Sequence, residues 1–128
     1  RIYASTGVLE KAINHYEASL KLAPDYYVTH HALGFLHLKK CEILGQAVSA
    51  SAKAKDAALN EKAFQAYKRE ANKTILYFEK SQACDPDETT MDILKRLYKS
   101  IRDTTALATL PNRLALLDKN CVTLLDDE

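Results

Sequence analysis

Residues 3–34 read YASTGVLEKAINHYEASLKLAPDYYVTHHALG. Tyr3, Ala12 and Tyr16 lead to Pro24, and the pair Leu33-Gly34 begins nine residues after that proline. Small and aromatic residues at fixed offsets, closed by a proline between two apolar periodic stretches, describe one helix of a hairpin packing against the next. From Val8 to Leu22 the apolar or small side chains fall at Val8, Leu9, Ala12, Ile13, Tyr16 and Leu20, the spacing of one amphipathic face. Ala23-Pro24-Asp25 ends that helix, because proline lacks an N–H and restrains its predecessor. Gly7 offers a tight turn just before it, which places Tyr3 and Ala4 in the last turns of an earlier helix.

Working outward, the next helix starts around Tyr27 to Thr29 and runs through Ala32, Leu33, Leu36, Cys41, Leu44 and Val48 to about Asp56. Ala57-Ala58-Leu59-Asn60 reads as the turn, with Asn60 as the cap of a return helix from Glu61 to about Cys84. Its inward face carries Phe64, Tyr67, Ala71, Ile75 and Phe78, and it closes at Asp85-Pro86-Asp87. Nine alanines between residues 47 and 71 suggest close approach of the two helices along a small-residue seam. A fifth helix puts Met91, Leu94, Leu97, Tyr98 and Ile101 inward. Residues 102–109 fit a loop or one helical turn. Pro111 suits the first turn of a last helix whose seam is Leu110, Leu114, Leu117, Cys121 and Leu124, before the solvated end Asp126-Asp127-Glu128. That makes about six helices.

The bulk numbers agree with such a chain. Apolar residues make up 47% and charged residues 27% of 128 positions, with three glycines and three prolines, so helices joined by short turns dominate. No run is apolar enough to span a membrane, and a net charge of +1 gives no overall case for nucleic acid. The chain opens at Arg1 in what reads as mid-helix, so a fragment or processed form, cytoplasmic or periplasmic, is expected. Cys41, Cys84 and Cys121 are odd in number and lack ligand spacing. They read as small apolar packers rather than a disulfide framework or zinc site, with one bridging pair left open.

These residues resemble the tetratricopeptide repeat (TPR) family, whose unit of 34 residues fixes a Leu-Gly pair, aromatics, alanines and a proline at set places. Tyr3, Gly7, Ala12, Tyr16 and Pro24 fill the later slots of a first repeat, with Ser19 where alanine is usual. Leu33-Gly34, Phe78, Ser81 and Pro86 fill the second, with Thr74 in an alanine slot. Met91, Leu94, Tyr98 and Ile101 fit a third once one residue is deleted from the preceding turn. The resemblance implies an all-α superhelix of stacked antiparallel hairpins: a truncated first repeat (1–24), a second repeat (25–86) with an arm at about 39–73, and a third with capping helices (87–128). From Gly34 to Pro86 is 52 residues where the family has 24, an excess of 14 per helix, or about 21 Å of added length each. It is similar to a bacterial TPR subgroup with this lengthened hairpin.

In the family's geometry the first helix of each pair lines the hollow side. The resemblance then implies a groove of Tyr26, His31, Phe35, Leu38, Asp92, Arg96 and Lys99, suited to a peptide or partner helix with apolar anchors and an acidic group. Gly34 would let a neighbour approach, and Tyr16 and Phe78 would wedge between hairpins. A non-catalytic protein-interaction scaffold without cofactor or metal is the expected function. His30 and His37 are seven apart, about 10 Å along a helix, too far to share one ion. No GxSxG, P-loop or GxGxxG occurs. HHALGFLH at 30–37 supplies no asparagine, which disfavours the family's chaperone-tail clamp. Two other readings stand beside this one. Between Lys39 and Lys73 eight basic residues face four acidic ones, so the arm could touch nucleic acid or an anionic membrane. The exposed repeat end could also drive self-association into a homo-oligomer.

Overall fold

A computed structural model describes the backbone of residues 2–23 and 26–116 and the side chains from residue 7 onward within them. Five helices follow one another: α1 (Ile2–Leu22), α2 (Tyr27–Lys53), α3 (Ala57–Cys84), α4 (Glu88–Ser100) and α5 (Thr104–Leu116). Among the described residues there is no β-strand. Helices α2 and α3 pair along their length as one long hairpin; α1 packs on α2, α4 on α3, and α5 on both α3 and α4. With 27 and 28 residues, each arm of the hairpin reaches about 40 Å.

Most of the core gathers at the hairpin's base. Cys41, Ala71, Ile75 and Phe78 bury against Ile93, Leu94, Leu97, Tyr98 and Ile101 of α4 and its end, and against Leu110 and Leu114 of α5. A smaller cluster, Leu9, Ile13 and Leu33, fastens α1 to α2. Gly34 is the point of closest approach: a Cβ there would lie 2.7 Å from the ring of Phe78, which is fully buried. That contact explains why Leu33-Gly34 reads so clearly in the sequence. Glu79 ties three helices at this end, accepting hydrogen bonds from the Tyr98 hydroxyl and from Arg113 Nη1 (2.9 Å). Burial, reinforced by the Glu79 carboxylate, pushes the Tyr98 hydroxyl up to about 12.

Several expectations are corrected. Helix α1 runs unbroken through Gly7, which has no positive φ and nothing within 4 Å of a Cβ position; a glycine inside a helix costs only about 1 kcal/mol. Tyr3 and Ala4 therefore share a helix with Val8, and the side chains of both lie outside the described residues. Tyr16 is 36% exposed and is not a wedge, because α1 meets α2 through Leu9 and Ile13 instead. Pro111 lies inside α5, which starts about two turns earlier at Thr104 because Asp103 Oδ1 accepts from Ala106 N (3.1 Å). Pro24, the seam positions Leu117, Cys121 and Leu124, and the acidic end 126–128 fall outside the described residues.

The reversal of the long hairpin also differs. It occupies residues 54–56, and Asp56, not Asn60, caps α3 by accepting from Leu59 N (3.0 Å). Lys55 takes φ 57, with Lys55 N bonded to Ala52 O (3.1 Å) and Asp56 N to Ser51 O (3.3 Å). These two bonds satisfy carbonyls that the end of α2 leaves open. The same device closes α4: Arg102 has φ 62, Arg102 N bonds Lys99 O and Asp103 N bonds Tyr98 O. Of the alanines between 47 and 71 only Ala71 is buried, so the expected close seam of small residues is not what joins the outer hairpin.

Candidate functional site

Helices α2 and α4 do not pack backbone to backbone; α3 lies between them and floors a groove. On α2 the groove wall is the stripe Val28, His31, Phe35, Leu38 and Glu42, spaced by three and four residues and therefore on one face. Two clefts open along it. The first, of about 290 Å³, is lined by Tyr27, Val28 and His31 of α2, Ser81 of α3, and Asp85, Pro86 and Asp87 of the turn into α4. The second, of about 350 Å³, is lined by Leu38 and Glu42 of α2, Tyr67 of α3, and Ile93, Arg96, Leu97 and Ser100 of α4. Phe35 sits on the stripe between them, 39% exposed.

Aromatic contacts fix the middle of this wall. Phe35 meets buried Phe78 edge-on at 5.0 Å and His31 at 4.9 Å. His31 Nδ1 lies 3.3 Å from Ser81 Oγ. An edge-to-face trio of this kind holds Phe35 in one orientation while leaving its outer surface to solvent. In the second cleft the Tyr67 hydroxyl is anchored to Ser100 Oγ at 2.8 Å. In the first, Asp87 accepts from Thr90 Oγ1 (3.0 Å) and Thr90 N (3.2 Å), and these bonds hold its carboxyl below the usual aspartate range.

The sequence-derived groove residues separate into groups. His31 lines the first cleft, Leu38 and Arg96 line the second, and Phe35 joins the two. Asp92 and Lys99 are exposed on α4 and Tyr26 is half-buried where α2 begins; none of the three lines either cleft. Sequence reasoning missed Val28, Glu42, Tyr67, Asp85 and Asp87. Val28 and Glu42 were within reach of it, since continuing the three-and-four spacing away from Phe35 in both directions lands on them.

A second gathering of polar side chains lies at the α1–α2–α3 junction. His37, 2% exposed and stacked on Tyr77 at 5.3 Å, donates from Nδ1 to Glu70. Lys40 Nζ reaches Glu10 at 3.0 Å and Glu70 at 3.7 Å. Burial works to raise the Glu70 carboxyl, but the His37 hydrogen bond and the charges of His37, Lys40 and Lys73 outweigh it and hold the group below its ordinary value. Nearby, burial pushes the Cys41 thiol up to about 11, so it stays protonated and unreactive. Cys84, by contrast, is disulfide-bonded, the possibility of one bridging pair that the sequence reading left open. Neither groove cleft includes His37, Cys41 or Glu70, and the cluster acts as a three-helix fastening. Among the described residues no three His, Cys, Asp or Glu side chains gather as a metal ion would need.

Stacked antiparallel hairpins with a lined groove define a helical-repeat protein. A family model described as TPR repeat matches residues 1–40, from α1 past Leu33-Gly34 into α2, and the all-α hairpin fold is consistent with that match. No curated protein and no solved structure matches it. TPR repeats generally mediate contacts between proteins, and among the described residues no helix is long and apolar enough to cross a membrane.

Proposed function

We propose that this chain is a non-catalytic interaction scaffold that holds a peptide or partner helix in the groove between α2 and α4. The observation that carries the reading is Phe35: a large aromatic 39% exposed, held edge-on by Phe78 and His31, with a cleft on either side. Fixed aromatics at the centre of a partly desolvated surface are the residues that supply most binding energy in interfaces. The test is selection from a random peptide library followed by titration. Phe35→Ala should weaken selected peptides by about tenfold or more while the helical content and melting point stay close to those of the parent. Peptides that bind the variant as well as the parent would place the contact elsewhere.

A second reading is favoured by one observation. Lys62, Arg69 and Lys73 are exposed on α3 at offsets of seven and four, along one outer stripe of the arm. Three phosphate contacts there would make affinity for an anionic polymer fall about 40-fold between 50 and 200 mM salt. Binding through Phe35 should change far less over the same range, so a salt titration separates the two modes.

A further inference from the structure

The groove is electrically divided along its length. Residues 85–92 contain Asp85, Asp87, Glu88 and Asp92 and no basic residue, whereas 95–102 contain Lys95, Arg96, Lys99 and Arg102 and no acidic one. Part of that segregation is what a helix favours by itself, with carboxylates at its N-terminus and cations at its C-terminus. Asp87 is explained in that way, since it caps α4, and Arg102 is engaged over the Phe64 ring at 5.1 Å. The dipole does not explain the apolar part of the pattern. Val28 and His31 stand in the cleft with Asp85 and Asp87, Leu38 stands in the cleft with Arg96, and Phe35 lies between. Nor does it explain why the side chains of Asp85 and Arg96 form no hydrogen bond or ion pair with any described residue.

The spacing fits one kind of ligand. From residue 87 to residue 96 the helix rises about 14 Å. An extended chain advances about 3.3 Å per residue and turns every second side chain to the same side, so positions one, three and five cover about 13 Å on one face. We infer that the groove selects an extended segment of the pattern basic–x–apolar–x–acidic, read in either chain direction, with its basic side chain at Asp85 and Asp87, its apolar side chain on Phe35, and its carboxylate at Arg96. The inference rests on the groove reading above and adds the charge pattern of the partner. Glu42 also lines the Arg96 cleft and opposes the incoming carboxylate. Its removal should strengthen that end.

The probes are capped peptides Ala-Lys-Ala-Phe-Ala-Glu-Ala and its reversed sequence, with companions carrying Lys at both ends, Glu at both ends, or Gln at both ends. One of the two mixed-charge peptides should bind about tenfold more tightly than any companion, two partly exposed ion pairs being worth that much. Asp85→Asn should reduce the preference for Lys over Gln, Asp87 remaining, and spare that for Glu over Gln. Arg96→Gln should do the opposite, and Glu42→Gln should increase the preference for Glu. All three substitutions are on exposed positions, and circular dichroism confirms the fold. Binding that needs Phe35 yet ignores peptide charge overturns this inference and leaves the groove intact. Failure of every peptide to bind, or binding unaffected by Phe35→Ala, overturns both.

Discussion

The long hairpin has two unlike halves. At its base Leu33, Gly34, His37 and Cys41 of α2 are buried against Ala71, Thr74, Ile75 and Phe78 of α3, and α1, α4 and α5 cover the outside. Beyond the base, residues 42–69 contain a single buried side chain, Ser51. There the helices are joined by a polar clasp: Asn60 Nδ2 donates to Val48 O (3.0 Å) and to Ser51 Oγ (3.1 Å), and Ser51 Oγ donates to Val48 O (3.0 Å). One half is held by shape and the other by a few directional bonds and by alanine's own helix preference. The lesson is that the two halves should fail separately, the tip opening locally while the base unfolds only with the molecule.

The strongest way to break the base is at its tightest contact. Gly34→Leu drives a side chain into the Phe78 ring, already 2.7 Å from a bare Cβ, and should destabilise by about 3 kcal/mol through overpacking. Chemical denaturation would read this as a lower midpoint. A midpoint unchanged within error would mean that α2 and α3 do not meet at Gly34.

Next in size is the buried carboxylate. Glu70→Ala strands His37 and leaves Lys40 only Glu10 as a partner, and should cost about 2 kcal/mol at pH 7. Because the folded-state value of Glu70 is depressed, its contribution is present above the ordinary value of 4.5 and is lost as pH falls below it toward the folded value. The part of the stability gap that comes from the Glu70 carboxylate should therefore shrink as the pH falls below 4.5. A gap that widens on acidification would reverse the sign assigned to this ion pair.

Asn60→Ala tests the other half. It removes two donated hydrogen bonds and should cost about 1 kcal/mol. The loss should appear as faster amide exchange at the tip with little change around Phe78. Equal acceleration in both halves would show that the hairpin behaves as one unit.

What could be read from the sequence follows the same division. The base was legible because its constraint is one of size: Gly34 and Phe78 are mates across a contact that admits no Cβ, and such pairs leave a fixed residue type. The tip was not, because alanines punctuate nothing and two capping residues, Asp56 and Asn60, stand four apart with equal local claims. The structure gives Asp56 the cap and uses Asn60 as a clasp. Gly7 and Pro111 misled for the opposite reason, being strong punctuation that tertiary context overrides. In the groove, Phe35 and Leu38 follow from periodicity. Asp85 and Asp87 were read only as the surroundings of Pro86, because a turn's polar residues carry no mark that distinguishes a cap from a wall of a cleft.

The smallest expected effect contrasts the two reversals, one at the tip and one at the base. Lys55 (φ 57) and Arg102 (φ 62) both occupy the left-handed region that favours glycine, and each is followed by the aspartate that caps the next helix. Lys55 is exposed at the tip and stacks on no ring among the described residues, so Lys55→Gly should relieve backbone strain and stabilise by about 0.5–1 kcal/mol. Arg102 lies 5.1 Å over the Phe64 ring. Arg102→Gly gains the same relief but gives up a cation–π contact worth about 0.5–1 kcal/mol, and should come out close to neutral. The difference between the two variants, read as a shift in melting point, thus isolates the stacking of Arg102 from the conformational preference both positions share. Equal gains at both sites would leave nothing for the Phe64 contact to contribute. A loss at Lys55 would mean that the tip reversal does not hold the left-handed geometry in solution.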